Sequence, residues 1–96
     1  MVIVGIITFP TESSKEMGKR FMEVPAYINK RGPYFSAELG VGIKCVSIFE
    51  FEPSKMAEAL KFVHDYYAIY IGIPGYTYTV NVWLEAIEAL KLVGLE

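Results

Sequence analysis

The sequence contains a single cysteine and a single histidine, Cys45 and His64, among its 96 residues. An intrachain disulfide is therefore excluded, and a metal site would need carboxylates at a spacing that the chain does not show. We expect no cofactor. The first apolar run follows no basic segment and has no small-residue cleavage pattern, so we also expect a cytoplasmic protein.

The sequence also has little net charge and no long apolar run. The net charge is -2 and the isoelectric point is about 5.4, which gives no long-range attraction for a phosphate backbone. Nucleic acid is a disfavoured partner on that ground. No uninterrupted apolar run approaches the roughly 18 residues of a membrane span, and residues 66–78 are broken by glycine and proline. We expect no membrane partner.

Apolar residues are plentiful, at 53% of the chain against an average of about 45 to 50%. In the first stretch, residues 2–9, both faces of a strand would be apolar. Val2, Val4 and Ile6 point one way, and Ile3, Ile7 and Phe9 the other. One domain spanning residues 1–96 cannot cover both faces of its sheet with its own few helices. The pattern predicts a homodimer formed through sheet faces.

The first half of the chain predicts a helix between two strand patterns. Ser13 and Glu16 have capping-box spacing, and the helix would end near Pro25. Its apolar face is formed by Met17, Phe21 and Val24. We expect residues 27–32 to form a loop, followed by a strand from Tyr34, a turn over residues 40–42 and a strand over residues 43–51. Glu38 and Lys44 would pair across that turn.

The second half predicts a helix that starts at Pro53 and keeps apolar helical spacing as far as Tyr70. An alternative makes residues 67–73 a strand paired with the next one. A fourth strand is expected over residues 76–82. A last helix from about Trp83 would bury Trp83, Ile87 and Leu90.

The order β-α-β-β-α-β-α predicts an α+β protein, with a ferredoxin-like βαββαβ core, a four-stranded antiparallel sheet and a C-terminal helix. Together with the two-sided strands, the whole chain resembles the dimeric α+β barrel proteins. That group includes cofactor-free monooxygenases, haem-degrading enzymes and stress-responsive proteins. The resemblance implies sheets packed face to face in pairs. It rests on element order, and the chain carries no functional motif of the group, so no catalytic residue follows from it.

Seven tyrosines and the lone histidine are the candidates for a ligand site. Tyrosine rings can stack on an aromatic molecule while their hydroxyls orient a polar group. We expect a small apolar or aromatic ligand, bound by His64, Tyr67, Tyr70 and Tyr78. Cys45 lies in an apolar strand and is expected to be buried and unreactive.

Three functional hypotheses follow from these patterns. The first is a small homodimeric ferredoxin-like protein with a structural or small-ligand-binding role. The second is a cofactor-independent barrel enzyme of monooxygenase or isomerase type, with His64 and tyrosines in a pocket. The third, an amino-acid-binding regulatory module, has little support because such modules usually travel fused to a partner.

Overall fold

A computed structural model describes residues 1–20 and 22–94. Four strands form one antiparallel sheet in the order β2-β3-β1-β4: β1 (Val2–Phe9), β2 (Asn29–Glu38), β3 (Gly42–Glu50) and β4 (Thr77–Trp83). The three helices are α1 (Ser14–Lys19), α2 (Met56–Ala68) and α3 (Ala86–Leu92). The α+β class, the four-stranded antiparallel sheet and the βαββαβ order with a C-terminal helix are confirmed.

The core lies between the sheet and the helices α1 and α2. On the sheet, the helix-side face buries Ile3, Ile7, Cys45 and Phe49, and alternate residues of β1 and β3 share it. Met17 of α1 and three residues of α2 also belong to this core. Those three residues are Ala59, Val63 and Tyr67. Their spacing of four along α2 places them on one side of the helix.

The opposite face of the sheet is partly exposed along its centre, and we call it the open face. Its centre consists of Val2, Val4, Ile6, Val46 and Ile48, all partly exposed. The register places Tyr34 beside Val46 on the edge strand β2, and Trp83 beside Val2 on β4. Tyr34 and Trp83 are 59% and 55% exposed. The two-sided apolar pattern in the sequence therefore corresponds to one covered face and one open face.

The second strand starts earlier than the sequence predicts. Asn29, Lys30 and Arg31 already pair with β3, and the ladder shifts register between Arg31 and Tyr34. Pro33 cannot donate to the ladder, and Gly32 adopts a φ of 99° that favours glycine. The predicted loop over residues 27–32 is therefore wrong for its last four residues. The bulge interrupts the alternation of apolar and polar residues, so the sequence pattern does not indicate the start of this strand.

Two predicted helices are shorter than expected. Helix α1 ends at Lys19, not near Pro25, and the predicted helical position of Phe21 lies outside the described residues. Ser13 does not cap the helix, because its hydroxyl donates to the carbonyl oxygen of Pro74 at 2.8 Å. Helix α2 ends at Ala68, and turns follow through residue 75, so the alternative strand over residues 67–73 is wrong.

The C-terminal helix differs most from the prediction. Trp83 ends β4 and does not start a helix, and α3 begins only at Ala86. Within the single chain, the residues that were expected to be buried are exposed: Trp83, Ile87 and Leu90. The positive end of the chain, the Met1 ammonium, binds the carboxylate of Glu88 at 2.6 Å. This ion pair lies between α3 and the start of β1.

The chain is extended for its length. Its Cα radius of gyration is 15.1 Å, whereas a compact domain of this size has about 12.5 Å. The β2–β3 hairpin contributes, with Leu39 fully exposed at its tip and the predicted pair of Lys44 and Glu38 in place at 3.3 Å. In residues 1–20 and 22–94, no helix has the length and apolar content needed to cross a membrane.

Candidate functional site

A cavity of about 490 Å³ lies on the helix-side face of the sheet, next to α1 and α2. Its floor comes from alternate residues of three strands: Ile7 of β1, Phe35 of β2, and Ile43, Cys45 and Ser47 of β3. Its walls come from Met17, Gly18 and Arg20 on the α1 side, and from Tyr66, Tyr67 and Tyr70 on the α2 side. The volume lies within the range of about 300 to 1,000 Å³ typical of ligand pockets.

The tyrosine wall is built by close ring packing. The Tyr67 ring meets the rings of Tyr66 and Phe49 edge-on, with centroids 5.2 and 6.1 Å away. On its other side, Tyr67 stacks on Tyr78 at 5.9 Å, and Tyr78 stacks on Tyr76 at 5.7 Å. Such contacts fix ring orientation as well as burying area. The wall is therefore held from behind by aromatic residues of β3 and β4.

Tyr67 reaches its position because β1 has glycine beneath it. A Cβ atom on Gly5 would overlap the ring edge and the hydroxyl of Tyr67. Gly5 lies on the helix-side face opposite Ser47 of β3. Any larger residue there would push the ring into the cavity or away from the sheet. The absence of a side chain at this strand position is thus what shapes the wall.

Three hydroxyls of this tyrosine cluster are held in the neutral form. Burial raises the pKa of Tyr67, Tyr70 and Tyr76 above the ordinary value for tyrosine. Tyr76 donates its hydroxyl proton to the carbonyl oxygen of Tyr67 at 2.7 Å. These groups can donate or accept hydrogen bonds at neutral pH but do not serve as bases there.

One positively charged residue lies in the cavity wall and a second lies behind it. Of the described residues that line the cavity, only Arg20 is charged. Its Nη1 donates to the carbonyl oxygen of Ile69 at 2.6 Å, just past the end of α2. Behind the wall, Lys30 donates from Nζ to the Tyr66 hydroxyl oxygen at 2.7 Å. Because lysine can only donate, the hydroxyl of Tyr66 keeps its own proton for another acceptor.

Cys45 lies in the floor and is buried, as the sequence predicts. Burial raises the pKa of its thiol, against the weaker opposing effect of the Lys30 charge. The thiol is therefore protonated at neutral pH, whereas the thiolate is the nucleophilic form. Its contribution to the floor is apolar. In the part of the chain that the structure describes, no three His, Cys, Asp or Glu residues converge as a metal-binding group.

The predicted site residues divide into two groups. Tyr67 and Tyr70 line the cavity, and Tyr78 supports it through its stacking on Tyr67. His64 is exposed on α2 and lies outside the lining of the cavity. Arg20 and Ser47 line the cavity but were not among the predicted site residues. Arg20 lies in extended backbone directly after α1, so helical spacing in the sequence does not indicate its place in the cavity.

Comparison of the chain with models of known protein families, with curated proteins and with solved structures gives no match. An apolar floor, three tyrosine rings and one arginine suit the binding of a small molecule with an apolar or aromatic body.

Proposed function

We propose that this protein is a homodimer in which each subunit binds a small apolar or aromatic molecule in the cavity on the helix side of its sheet. The observation that carries the proposal is the cavity itself, which is large enough for a ligand and is lined by Tyr66, Tyr67 and Tyr70. A cytoplasmic location, favoured by the single thiol, is part of the proposal.

The dimer in this proposal resembles the dimeric α+β barrel arrangement and uses the open face. A C2 contact places the same patch on both subunits, and the row of Val4, Ile6, Val46 and Ile48 is apolar enough to pair with itself. The strands have seven to ten residues, so the open face measures roughly 24 to 34 Å by 19 Å, or about 450 to 650 Å². Stable interfaces bury about 800 Å² per partner. We expect exposed apolar residues of α3 to supply the remainder.

The enzymatic alternative needs a general base within reach of the bound molecule. The histidine expected to act as that base, His64, lies outside the cavity lining, and the pKa of each of Tyr67, Tyr70 and Cys45 is raised. Binding without turnover is therefore the function that the geometry supports best.

A fluorescence titration with the neutral apolar probe N-phenyl-1-naphthylamine tests the cavity. Gly18 lines the cavity, and a Cβ atom there would have nothing within 4 Å, so the position accepts a side chain and Gly18→Leu adds bulk at the cavity wall. We expect the probe to bind the wild-type protein and to lose most of its affinity for Gly18→Leu. The matched control is Ala57→Leu, which adds the same side chain on the exposed side of α2. Equal binding to all three proteins, or no binding to any, would contradict the proposal.

A further inference from the structure

The charge on the cavity wall is of one sign, which bears on the chemistry of the ligand. Arg20 lines the cavity, and no Asp or Glu is among the described residues that do. The second cation is Lys30, which lies behind the wall. Its Nζ atom donates a hydrogen bond to the Tyr66 hydroxyl and lies 4.9 Å from the centroid of the Tyr66 ring. Both charges therefore favour a negative group in the cavity.

Arg20 has donors to spare for such a group. A guanidinium has five N–H donors, and one of its nitrogens, Nη1, is bonded to the carbonyl oxygen of Ile69. The nearest carboxylate, that of Glu16, is 3.9 Å from Nη2. An exposed ion pair at that distance is weak, so it leaves the charge of Arg20 largely uncompensated. The bond to Ile69 fixes the arginine in place, which lowers the entropic cost of binding an anion.

We propose that the cavity is selective for small aromatic anions, whose carboxylate or sulfonate is bound by Arg20 while the ring lies against the tyrosine wall. This rests on the proposed function, because it assumes that the cavity is a binding site. Arginine suits this role since its planar fork can donate two parallel hydrogen bonds to a carboxylate or sulfonate. The Tyr66 hydroxyl, polarised by Lys30, is a further donor, on the tyrosine wall.

Two probes that differ by one group test the selectivity. 8-Anilino-1-naphthalenesulfonate carries a sulfonate on the ring system of N-phenyl-1-naphthylamine, so the pair isolates the effect of the charge. We expect Arg20→Gln to weaken binding of the sulfonate by about tenfold, because charge-assisted hydrogen bonds are lost. Binding of the neutral probe should stay within twofold. Arg20→Lys keeps the charge but lacks the planar fork, so its affinity for the sulfonate should fall between that of the wild type and that of Arg20→Gln.

The control is Lys19→Gln, which removes the same charge from the neighbouring residue of α1. Lys19 also approaches Glu16, at 3.5 Å, but it is not part of the cavity lining. It should leave both affinities within twofold. Equal weakening of both probes by Arg20→Gln would mean that Arg20 only supports the structure, and no weakening of either would mean that it does not bind the anion. Either result overturns the selectivity while leaving the cavity as a binding site. Failure of both probes to bind the wild-type protein overturns the proposed function too.

Discussion

The ring of Tyr67 on α2 lies directly over Gly5 of β1, where a β-carbon would overlap the ring edge. Tyr67 is 2% exposed and joins the aromatic cluster of β3 and β4 to the wall of the cavity. The contact between helix and sheet therefore depends on the glycine as much as on the tyrosine. The shape of the cavity depends on the same pair.

Gly5→Ala should destabilise the protein by about 1 to 3 kcal/mol, the usual cost of overpacking a core. The sign of this change in stability is informative, because alanine in a strand is otherwise favoured over glycine by roughly 0.5 to 1 kcal/mol. Gly18→Ala, at an open helical position, is the control and should be neutral or stabilising. Urea unfolding of the three proteins measures the difference. A Gly5→Ala protein as stable as the wild type would show that Tyr67 is not seated over the glycine.

Tyr67 should make the protein sensitive to alkali. Burial raises the pKa of its hydroxyl in the folded state, while the unfolded chain titrates near pH 10. Below that pH both states hold the proton and stability is unaffected. Above it only the unfolded state loses the proton, so stability falls by up to about 1.4 kcal/mol per pH unit for this group.

Tyr67→Phe removes that contribution. The slope of unfolding free energy against pH should be shallower for the variant between about pH 10 and 11. Part of the slope should remain, because burial also raises the pKa of Tyr76. Chemical denaturation at several pH values, at one protein concentration, provides the slopes. Identical slopes for wild type and variant would refute the assignment of Tyr67 as a buried neutral phenol.

Ile48→Lys should abolish dimer formation. Ile48 lies in the middle of the open face between Arg31 and Val4, where a second subunit would bury an unpaired charge at a cost of several kcal/mol. Light scattering at micromolar concentration should show twice the chain mass of 10.8 kDa for the wild type and a single chain mass for the variant. Ala57→Lys, exposed on α2, should remain dimeric. A monomeric wild type would rule out the dimer.

His64→Gln should change little. His64 is exposed on α2, and loss of one hydrogen bond would cost about 1 kcal/mol at most. Probe binding should also be unchanged, because His64 is not part of the cavity lining. Thermal unfolding and the fluorescence titration measure both quantities. A specific loss of binding or of turnover in a folded variant would restore the enzymatic alternative.

The sequence contains most of the information about the sheet, because apolar alternation is local to each strand. The centre of β1 and β3 could be predicted from Val2, Val4, Ile6, Val46 and Ile48 alone. The start of β2 could not, because the Gly32–Pro33 step interrupts the alternation and its pairing with β3 is a long-range property. The start of helix α3 was predicted wrongly because its apolar residues suggested a buried face, whereas Trp83, Ile87 and Leu90 are exposed in the chain.

The site was harder to predict than the fold. Tyr67 and Tyr70 were identified from tyrosine content and helical spacing, but a cavity is a gap between elements and has no local signature. His64 was singled out as the lone histidine, yet its position on the exposed side of α2 depends on how the helix packs. Arg20 is fixed beside the cavity by its hydrogen bond to Ile69, in the turn after α2. That contact spans 49 positions of the chain, so no local pattern predicts it.

The most direct test is a methyl NMR titration of the wild-type protein, labelled at isoleucine, with N-phenyl-1-naphthylamine. Ile7 and Ile43 line the cavity, whereas Ile6 and Ile48 lie on the open face, so the four methyl groups report on the two sides of the same sheet. The proposed function predicts that Ile7 and Ile43 shift on binding and that Ile6 and Ile48 do not. Shifts confined to Ile6 and Ile48 would place the ligand on the open face and contradict it.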